Sequence, residues 1–339
     1  MTRDIVINGR FLSRRVTGVE RYGQEIIRLF SGNYRVEKPA LSVVEMTRAN
    51  GLAGHAWEQF ILPVKLKSNS ILWSPANMGP ITIHNQALTI HDLSPLEHPE
   101  WFKKSFAAWY RLFLPLLIKR VQVVFTPSEY IKQKVLKQLG VKNVIVTPNG
   151  VDTSIFHLEA RQKNYAFPEK YILFIGSLQP RKNLAGLMQA WHVIKDDFKD
   201  TWLVIAGAAG HVFQAVKFLG YERIRFMNYV SEADLPGLYA QAELLVLPSF
   251  DEGFGLPVIE AMACGTPVIV SDSGALPEVV GDAGLVFELS KPDGLAGAIR
   301  ECLNNNNLRL SLKEKGLTRV KIFAWQTTAE LIWNTLNEI

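Results

Sequence analysis

"ELLVLPSFDEGFGLPVIEAMACGTPVIVSD", residues 243–272, decides the architecture. An apolar run over 243–247 predicts a buried strand, and Pro248 and Ser249 end it. A loop with Gly253 and Gly255 follows. A short helix is predicted from about Pro257 to Ala263, with Pro in its first turn and Gly265 just beyond its end. "PVIVSD" (267–272) then reads as the next strand. Glu252 falls in the loop and Glu260 one turn into the helix, with seven residues between them. Paired carboxylates can flank a single bond in acid/base chemistry, but this placement separates them. A glycine loop feeding a helix N-terminus presents N–H groups to an anion or a hydroxyl-rich ligand. The alternative is a plain strand–loop–helix with both glutamates on a solvated face.

The same alternation extends in both directions. "YILFIGSL" (171–178), "TWLVIAG" (201–207) and "IRFMNYV" (224–230) read as strands, and 183–194 as a helix. In the first half, "DIVING" (4–9), "ILWSP" (71–75), "ALTIHD" (87–92), "VVFTPS" (123–128) and "NVIVTPNGVD" (143–152) read as strands. A polar loop, "RFLSRRVTG", leads into a helix at "VERYGQEIIRLF", and a helix over 129–139 is capped by Ser128. Strand–helix alternation predicts an α/β protein with parallel sheets covered on both faces. The expected domains are 1–152 and 166–322, with an amphipathic C-terminal helix at about 323–339. In such sheets ligands sit beyond the carboxyl ends of the strands.

Three further segments lie at that edge. In "GSLQPRKNL" (176–184), Arg181 and Lys182 stand at a helix start, which is unfavourable against the helix dipole unless an anion is near. A diphosphate would suit them: arginine grips oxygens bidentately and lysine acts as a point charge. The alternative is two solvated surface cations. In "LTIHDLSPLEHPEWF", a strand delivers His91 and Asp92; His91 suits a sugar hydroxyl or a transition-state oxygen, and the alternative is a pair that caps the loop. Gly18 in "RRVTGVERY" opens a helix after the first strand, without the spaced glycines of a dinucleotide fingerprint.

Composition narrows the classes. The 339 residues are 48% apolar, enough for two cores. Cys264 and Cys302 supply neither a disulfide framework nor metal spacing, which favours a reducing compartment. The opening lacks a signal-peptide run, and no stretch reaches the ~18–20 uninterrupted apolar residues of a membrane span. Residues 1–150 carry 20 Lys/Arg against 10 Asp/Glu, and 151–339 carry 17 against 22. The first half is thus +10 and the second −5, so the first half should seek an anionic partner. There is no Walker-type loop, no zinc pair, no Asp-x-Asp cluster to hold a metal–diphosphate, and no G-x-S-x-G elbow.

Taken together these segments resemble the large retaining glycosyltransferase family 4, which has the GT-B fold. "NGRFLSRRVTGVERYGQEI" resembles the opening of its bacterial polysaccharide enzymes. "HAWEQFILP" and "TIHDLSPLEHPEWF" resemble its mannosyltransferase-type members. "TPSEYIKQKVLKQLGVKNVIVTPNGVD" resembles the end of the first domain. "FIGSLQPRKNL", "VSEADLPGLYAQAELLVLPS" and "DEGFGLPVIEAMACGTPVIVSDSGALPEVVGDAGLVF" resemble the donor domain, the last being the E-x7-E signature.

The resemblance implies two Rossmann-like domains facing across a cleft, the N-terminal for the acceptor and the C-terminal for a nucleotide sugar, with the final helix crossing back. It implies that Lys182 and Arg181 bind the diphosphate and Glu260 the ribose hydroxyls. Glu252 and the segment Gly253, Phe254, Gly255 and Leu256 would hold the donor sugar. His91 would contact the sugar near the reaction centre, Gly18 would lie near the diphosphate or acceptor, and Tyr229 and Val230 would meet the base. Many members carry Gly-Arg where this chain has Gly176-Ser177, and Arg181 is the expected substitute.

The implied reaction is retaining, needs no metal or cofactor, and moves a hexose to a hydroxyl of a growing, lipid-linked cell-surface glycan, as in O-antigen assembly. GDP-mannose is the expected donor; a dTDP-, UDP- or other GDP-sugar is the alternative. The expected location is the cytoplasm, with peripheral contact between the basic half and an anionic inner membrane leaflet; Lys103, Lys104, Lys119 and Arg120 flank the segment for it. A phosphorylase or hydrolase of the same fold, and a non-catalytic anion-binding protein, are the rivals. Nucleic acid is not the expected partner, because the basic residues lack interleaved aromatics.

Overall fold

The computed structural model describes residues 4–14, 16–33, 41–46, 52–160, 168–207, 222–227 and 230–339. The chain divides into two units, one of residues 1–150 with 325–339 and one of residues 151–324.

Unit 1 is built on a six-stranded sheet ordered β2-β1-β3-β4-β5-β6. Its strands are β1 (Asp4–Gly9), β2 (Leu41–Glu45), β3 (Ser70–Ser74), β4 (Gln86–Thr89), β5 (Val123–Thr126) and β6 (Val144–Val146). Every pairing is parallel. Ile5, Ile7, Ile71, Trp73, Leu88 and Phe125 are fully buried. Such continuous apolar strands are what a sheet covered on both faces requires.

Helix α1 (Gly18–Asn33) follows β1. Helix α2 (Lys104–Ile118) carries Pro115 inside it and buries Ala107, Tyr110, Leu114, Leu117 and Ile118. Helix α3 (Glu129–Leu139) begins at Ser128, whose hydroxyl accepts from the Ile131 N–H, and ends at Gly140 in the left-handed region, φ 65°. The C-terminal segment Trp325–Glu338 is a helix of this unit and packs on α1. Phe30 meets Trp333 edge-on with ring centroids 5.0 Å apart, and Tyr22 meets Trp325 at 6.0 Å.

Unit 2 repeats the design with the order β12-β11-β10-β7-β8-β9. The strands are β7 (Lys170–Ile175), β8 (Thr201–Ala206), β9 (Ile224–Met227), β10 (Leu244–Leu247), β11 (Val268–Ser271) and β12 (Leu285–Phe287), again all parallel. Its core joins Phe174, Trp191, Ile205, Val246, Ile269 and Ile299.

In each sheet the first strand has neighbours that follow it in opposite directions. The order therefore reverses between β1 and β3, and between β7 and β10. These are the topological switch points, where open α/β sheets leave a crevice at the strands' carboxyl ends.

The structure departs from the sequence reading in three places. Residues 10–13 are not a polar loop: they form a short helical turn that buries Arg10 and Phe11. Strands β2 and β12, which the pattern did not suggest, flank the two sheets; β2 lacks the continuous burial of its neighbours and β12 has three residues. Several strands also stop short of the Pro, Ser or Asp that was read as their end, so His91 and Asp92 lie beyond β4.

Candidate active site

The switch point of unit 2 gathers residues from the loops after β7 and β10. After β7 the chain runs through Gly176 and Ser177 into a single helical turn, Pro180–Lys182. Asn183 then takes the left-handed conformation, φ 53°, and its side chain accepts from the Gly186 N–H to cap the helix α4 (Leu184–Ile194). Lys182 thus sits before the helix, and the turn directs it inward: it is 6% exposed.

After β10, Ser249 to Gly255 lead into helix α5 (Leu256–Ala263). Gly255 has φ 99°, which disfavours any L side chain, and a Cβ there would lie 2.8 Å from Leu276 Cδ2. Gly274 (φ 67°) backs the loop: a Cβ at Gly274 would come within 2.6 Å of the Glu252 nitrogen. The Glu252 carbonyl accepts from the Ala275 N–H at 2.9 Å, and the Phe250 N–H donates to the Arg181 carbonyl at 2.7 Å. The backbone of Glu252 is backed by the Gly274–Ala275 segment, and the two loops are tied together.

Glu252 is 5% exposed. Its carboxylate accepts from the Lys182 ammonium, from the Ser249 hydroxyl at 2.9 Å and from Arg181 Nη1 at 3.4 Å. Arg181 also donates to the Asp251 carbonyl and to Gln179. Burial pushes the Glu252 carboxyl up, but the charges of Lys182 and Arg181 and the hydrogen bonds from Lys182 and Ser249 outweigh it, and the group ends below the ordinary carboxylate range. It stays ionised at neutral pH.

Glu260 is buried separately on α5 and accepts from the Tyr239 hydroxyl at 2.7 Å. The partners of Glu252 are Lys182, Arg181 and Ser249, so the two glutamates share no proton. Neither glutamate lies on a solvated face, and neither Lys182 nor Arg181 is a free surface cation. Phe254 is buried, its ring edge-on to Phe323 with centroids 5.5 Å apart. Gly253, Leu256 and Val230 are buried. Tyr229 lies outside the described residues.

The remaining candidates belong to unit 1. His91 is 6% exposed and meets Tyr22 edge-on, with ring centroids 4.9 Å apart. Its Nε2 lies 2.7 Å from the Pro75 carbonyl. A carbonyl can only accept, so Nε2 carries the proton and Nδ1 is left as an acceptor. Burial lowers its pKa against the opposing pull of the Pro75 carbonyl and Asp92, so the ring is neutral. Asp92 accepts from the Ser94 N–H at 3.0 Å, a local turn ahead of the short helix Ser94–Glu97, whose N-cap is Leu93. Gly18 is the first residue of α1. Before it, Thr17 donates its N–H to Glu20 at 3.1 Å, the reciprocal half of a capping box.

Sequence reasoning passed over Ser249, Tyr239 and Gly274, which hold the two glutamates. It also passed over a buried cluster at the switch point of unit 1. There Arg10 pairs with Glu58, Asn8 Nδ2 donates to Glu58 at 2.8 Å, and Arg10 Nη2 lies 3.2 Å from His55 Nε2.

Residues 158–319 match the family described as "Glycosyl transferases group 1", and residues 82–155 match "Glycosyltransferase Family 4". An "O-antigen chain mannosyltransferase B" of Escherichia coli is 31% identical over 73% of this chain and 68% of its own length. The "O-antigen chain mannosyltransferase RfbU" of Salmonella typhimurium is 29% identical over 62% of this chain and 58% of its own. Among solved structures, sucrose-phosphate synthase from Thermosynechococcus elongatus superposes with a TM-score of 0.78 over 100% of this chain and 99% of that one. It is 18% identical, a likeness of fold alone. From the two family matches, the Escherichia coli relative and the paired parallel sheets, this chain belongs to the group 1 and family 4 glycosyltransferases, of the GT-B fold.

Proposed function

We propose that this protein transfers mannose from GDP-mannose to a hydroxyl of a growing, lipid-linked cell-surface glycan, with retention of the anomeric configuration. The observation that carries the reading is the meeting of Lys182 and Arg181 on the buried Glu252 carboxylate beside the N-terminus of α5, in a relative of chains named O-antigen mannosyltransferases. A nucleoside diphosphate is already a good leaving group. The protein must stabilise its developing charge and position the acceptor. Lys182 and Arg181 supply that charge, so no metal is required. Glu260, held by Tyr239, receives the ribose hydroxyls. Glu252 and the backbone of Gly253–Leu256 receive the sugar. Val230 and Tyr229 meet the base, and His91 offers Nδ1 to a sugar hydroxyl. Gly18 is the proposed approach point for the diphosphate or the acceptor.

The test is acceptor-dependent release of nucleoside diphosphate from a panel of nucleotide sugars, with a hydrophobic α-mannoside as acceptor and excess EDTA present. GDP released from GDP-mannose, with an α-linked product by NMR, is the expected result. Release from UDP-glucose or a dTDP-sugar instead would reassign the donor, and loss of activity in EDTA would overturn metal independence.

Peripheral contact with the anionic inner face of the cell membrane is part of the proposal. The segment Trp57–Val64 leaves Phe60 73% and Val64 84% exposed. The basic ends of α2 (Lys103, Lys104, Lys119 and Arg120) frame a helix with exposed Leu112 and Leu116. No described helix is long and apolar enough to cross a membrane. Flotation with vesicles containing phosphatidylglycerol, and none with phosphatidylcholine alone, is the expected result; no flotation with either would reject the contact.

A further inference from the structure

Glu252 holds the two cations that the proposed donor site needs for phosphate. Its carboxylate is buried and shared between Lys182 and Arg181, with Ser249 as the third donor. We propose that Glu252 is a built-in substitute for phosphate that sets the site's preference for a nucleotide sugar over the bare nucleoside diphosphate. The proposal rests on the reading of this loop pair as the donor site.

The physical argument compares the two ligands. A diphosphate arriving at Lys182 and Arg181 has two courses. If Glu252 stays in place, two anions share the same cations in a buried setting, and like charges at short range oppose each other strongly there. If the cations turn to the phosphate, Glu252 keeps Ser249 and loses its countercharges. An uncompensated buried carboxylate is costly. The backbone cannot retreat to relieve this, because Gly274 and Ala275 fix Glu252 from behind. A nucleotide sugar brings its own remedy: its hydroxyls donate to the released carboxylate, in charge-assisted hydrogen bonds that replace those given up. A nucleoside diphosphate has no hydroxyl beyond its terminal phosphate and leaves the carboxylate unmet. The same contest favours departure of the nucleotide once the sugar has gone.

Calorimetric titration of GDP and of GDP-mannose tests this on the wild type, Glu252→Gln and Lys182→Ala. If another nucleotide sugar proves to be the one bound, its own nucleoside diphosphate takes the place of GDP. Glu252→Gln is expected to bind GDP about 10- to 100-fold more tightly than the wild type. The advantage of GDP-mannose over GDP should shrink by at least as much. Glu252→Ala removes the charge without a buried amide to satisfy, and it should show the same tightening if the glutamine variant does not fold. In both variants GDP should raise the melting temperature more than in the wild type. Unchanged or weaker GDP binding in a folded variant overturns the proposal while the donor-site reading stands, provided Lys182→Ala has lost affinity. Wild-type binding to no member of the panel, or binding indifferent to Lys182→Ala, overturns both.

Discussion

The two switch points are built alike and behave differently. Each carries a buried glutamate paired with a cation from the loop after the sheet's first strand: Glu58 with Arg10 in unit 1, Glu252 with Lys182 in unit 2. In unit 1 the pair is one to one and closed. Glu58 is met by Arg10 and Asn8, Arg10 also meets His55, and all four residues are over 90% buried. In unit 2 one carboxylate is divided between two cations, and the Arg181 side chain reaches the surface, 19% exposed. A glycine loop and a helix N-terminus stand beside it. A closed neutral pair fixes the packing of two loops. A carboxylate pulled by two cations beside outward N–H groups is poised for exchange with another anion.

Two variants should separate these roles with large effects. Lys182→Ala is expected to reduce transfer by about 1000-fold, the order seen when a charge-stabilising group is removed, with an unaltered circular dichroism spectrum. Arg10→Ala strands Glu58, at about 3–5 kcal/mol. For a unit of this size that lowers the melting temperature by roughly 10 °C. Arg10→Met with Glu58→Leu should restore part of the loss: it removes the stranded charge, but Asn8 and His55 each lose a buried hydrogen bond. Failure of the double variant to recover would mean that the pair in unit 1 does more than hold packing.

A smaller effect comes from His55. Burial, with Arg10 and Arg14 nearby, lowers its pKa from 6.5 to about 4. Arg10 donates to its Nε2, so the proton sits on Nδ1, which has no partner among the described residues. The unfolded chain protonates this ring near 6.5 and the folded chain resists until about 4. Stability is therefore lost as pH falls through that window, by up to about 3 kcal/mol. His55→Gln should show a shallower fall in melting temperature between pH 7 and 4.5 than the wild type. Parallel curves would show that His55 is not held neutral by the fold. Smallest of all, Tyr239→Phe removes one hydrogen bond to Glu260 and should raise the donor KM about 5- to 10-fold with little change in kcat. An equal fall in kcat would tie Glu260 to the chemistry and bring the two glutamates back together.

Much of this was legible in the chain. Apart from the edge strands β2 and β12, the strands are continuous apolar runs bounded by Pro, Ser, Asn or Gly, so pattern and punctuation suffice to find them. The loop–helix at 249–263 is legible for the same reason, since Gly255 and Pro257 have strong backbone preferences. Burial of charge was not legible. Nothing local distinguishes Arg10 in "NGRFLSRR" from Arg14, because its burial depends on Glu58, 48 residues away. The inward turn of Lys182 depends likewise on Glu252, 70 residues on. Long-range pairing decides which charges leave water, and a local window cannot see it.

The most direct measurement is GDP-mannose affinity in three proteins: the wild type, Lys182→Ala, and Arg10→Met with Glu58→Leu. The expected result is a loss of at least about 100-fold in the lysine variant, from the lost charge contact with the phosphate, and a change under about threefold in the double variant. Unaltered binding by Lys182→Ala, with affinity lost in the Arg10/Glu58 variant, would contradict the assignment of the donor site to unit 2.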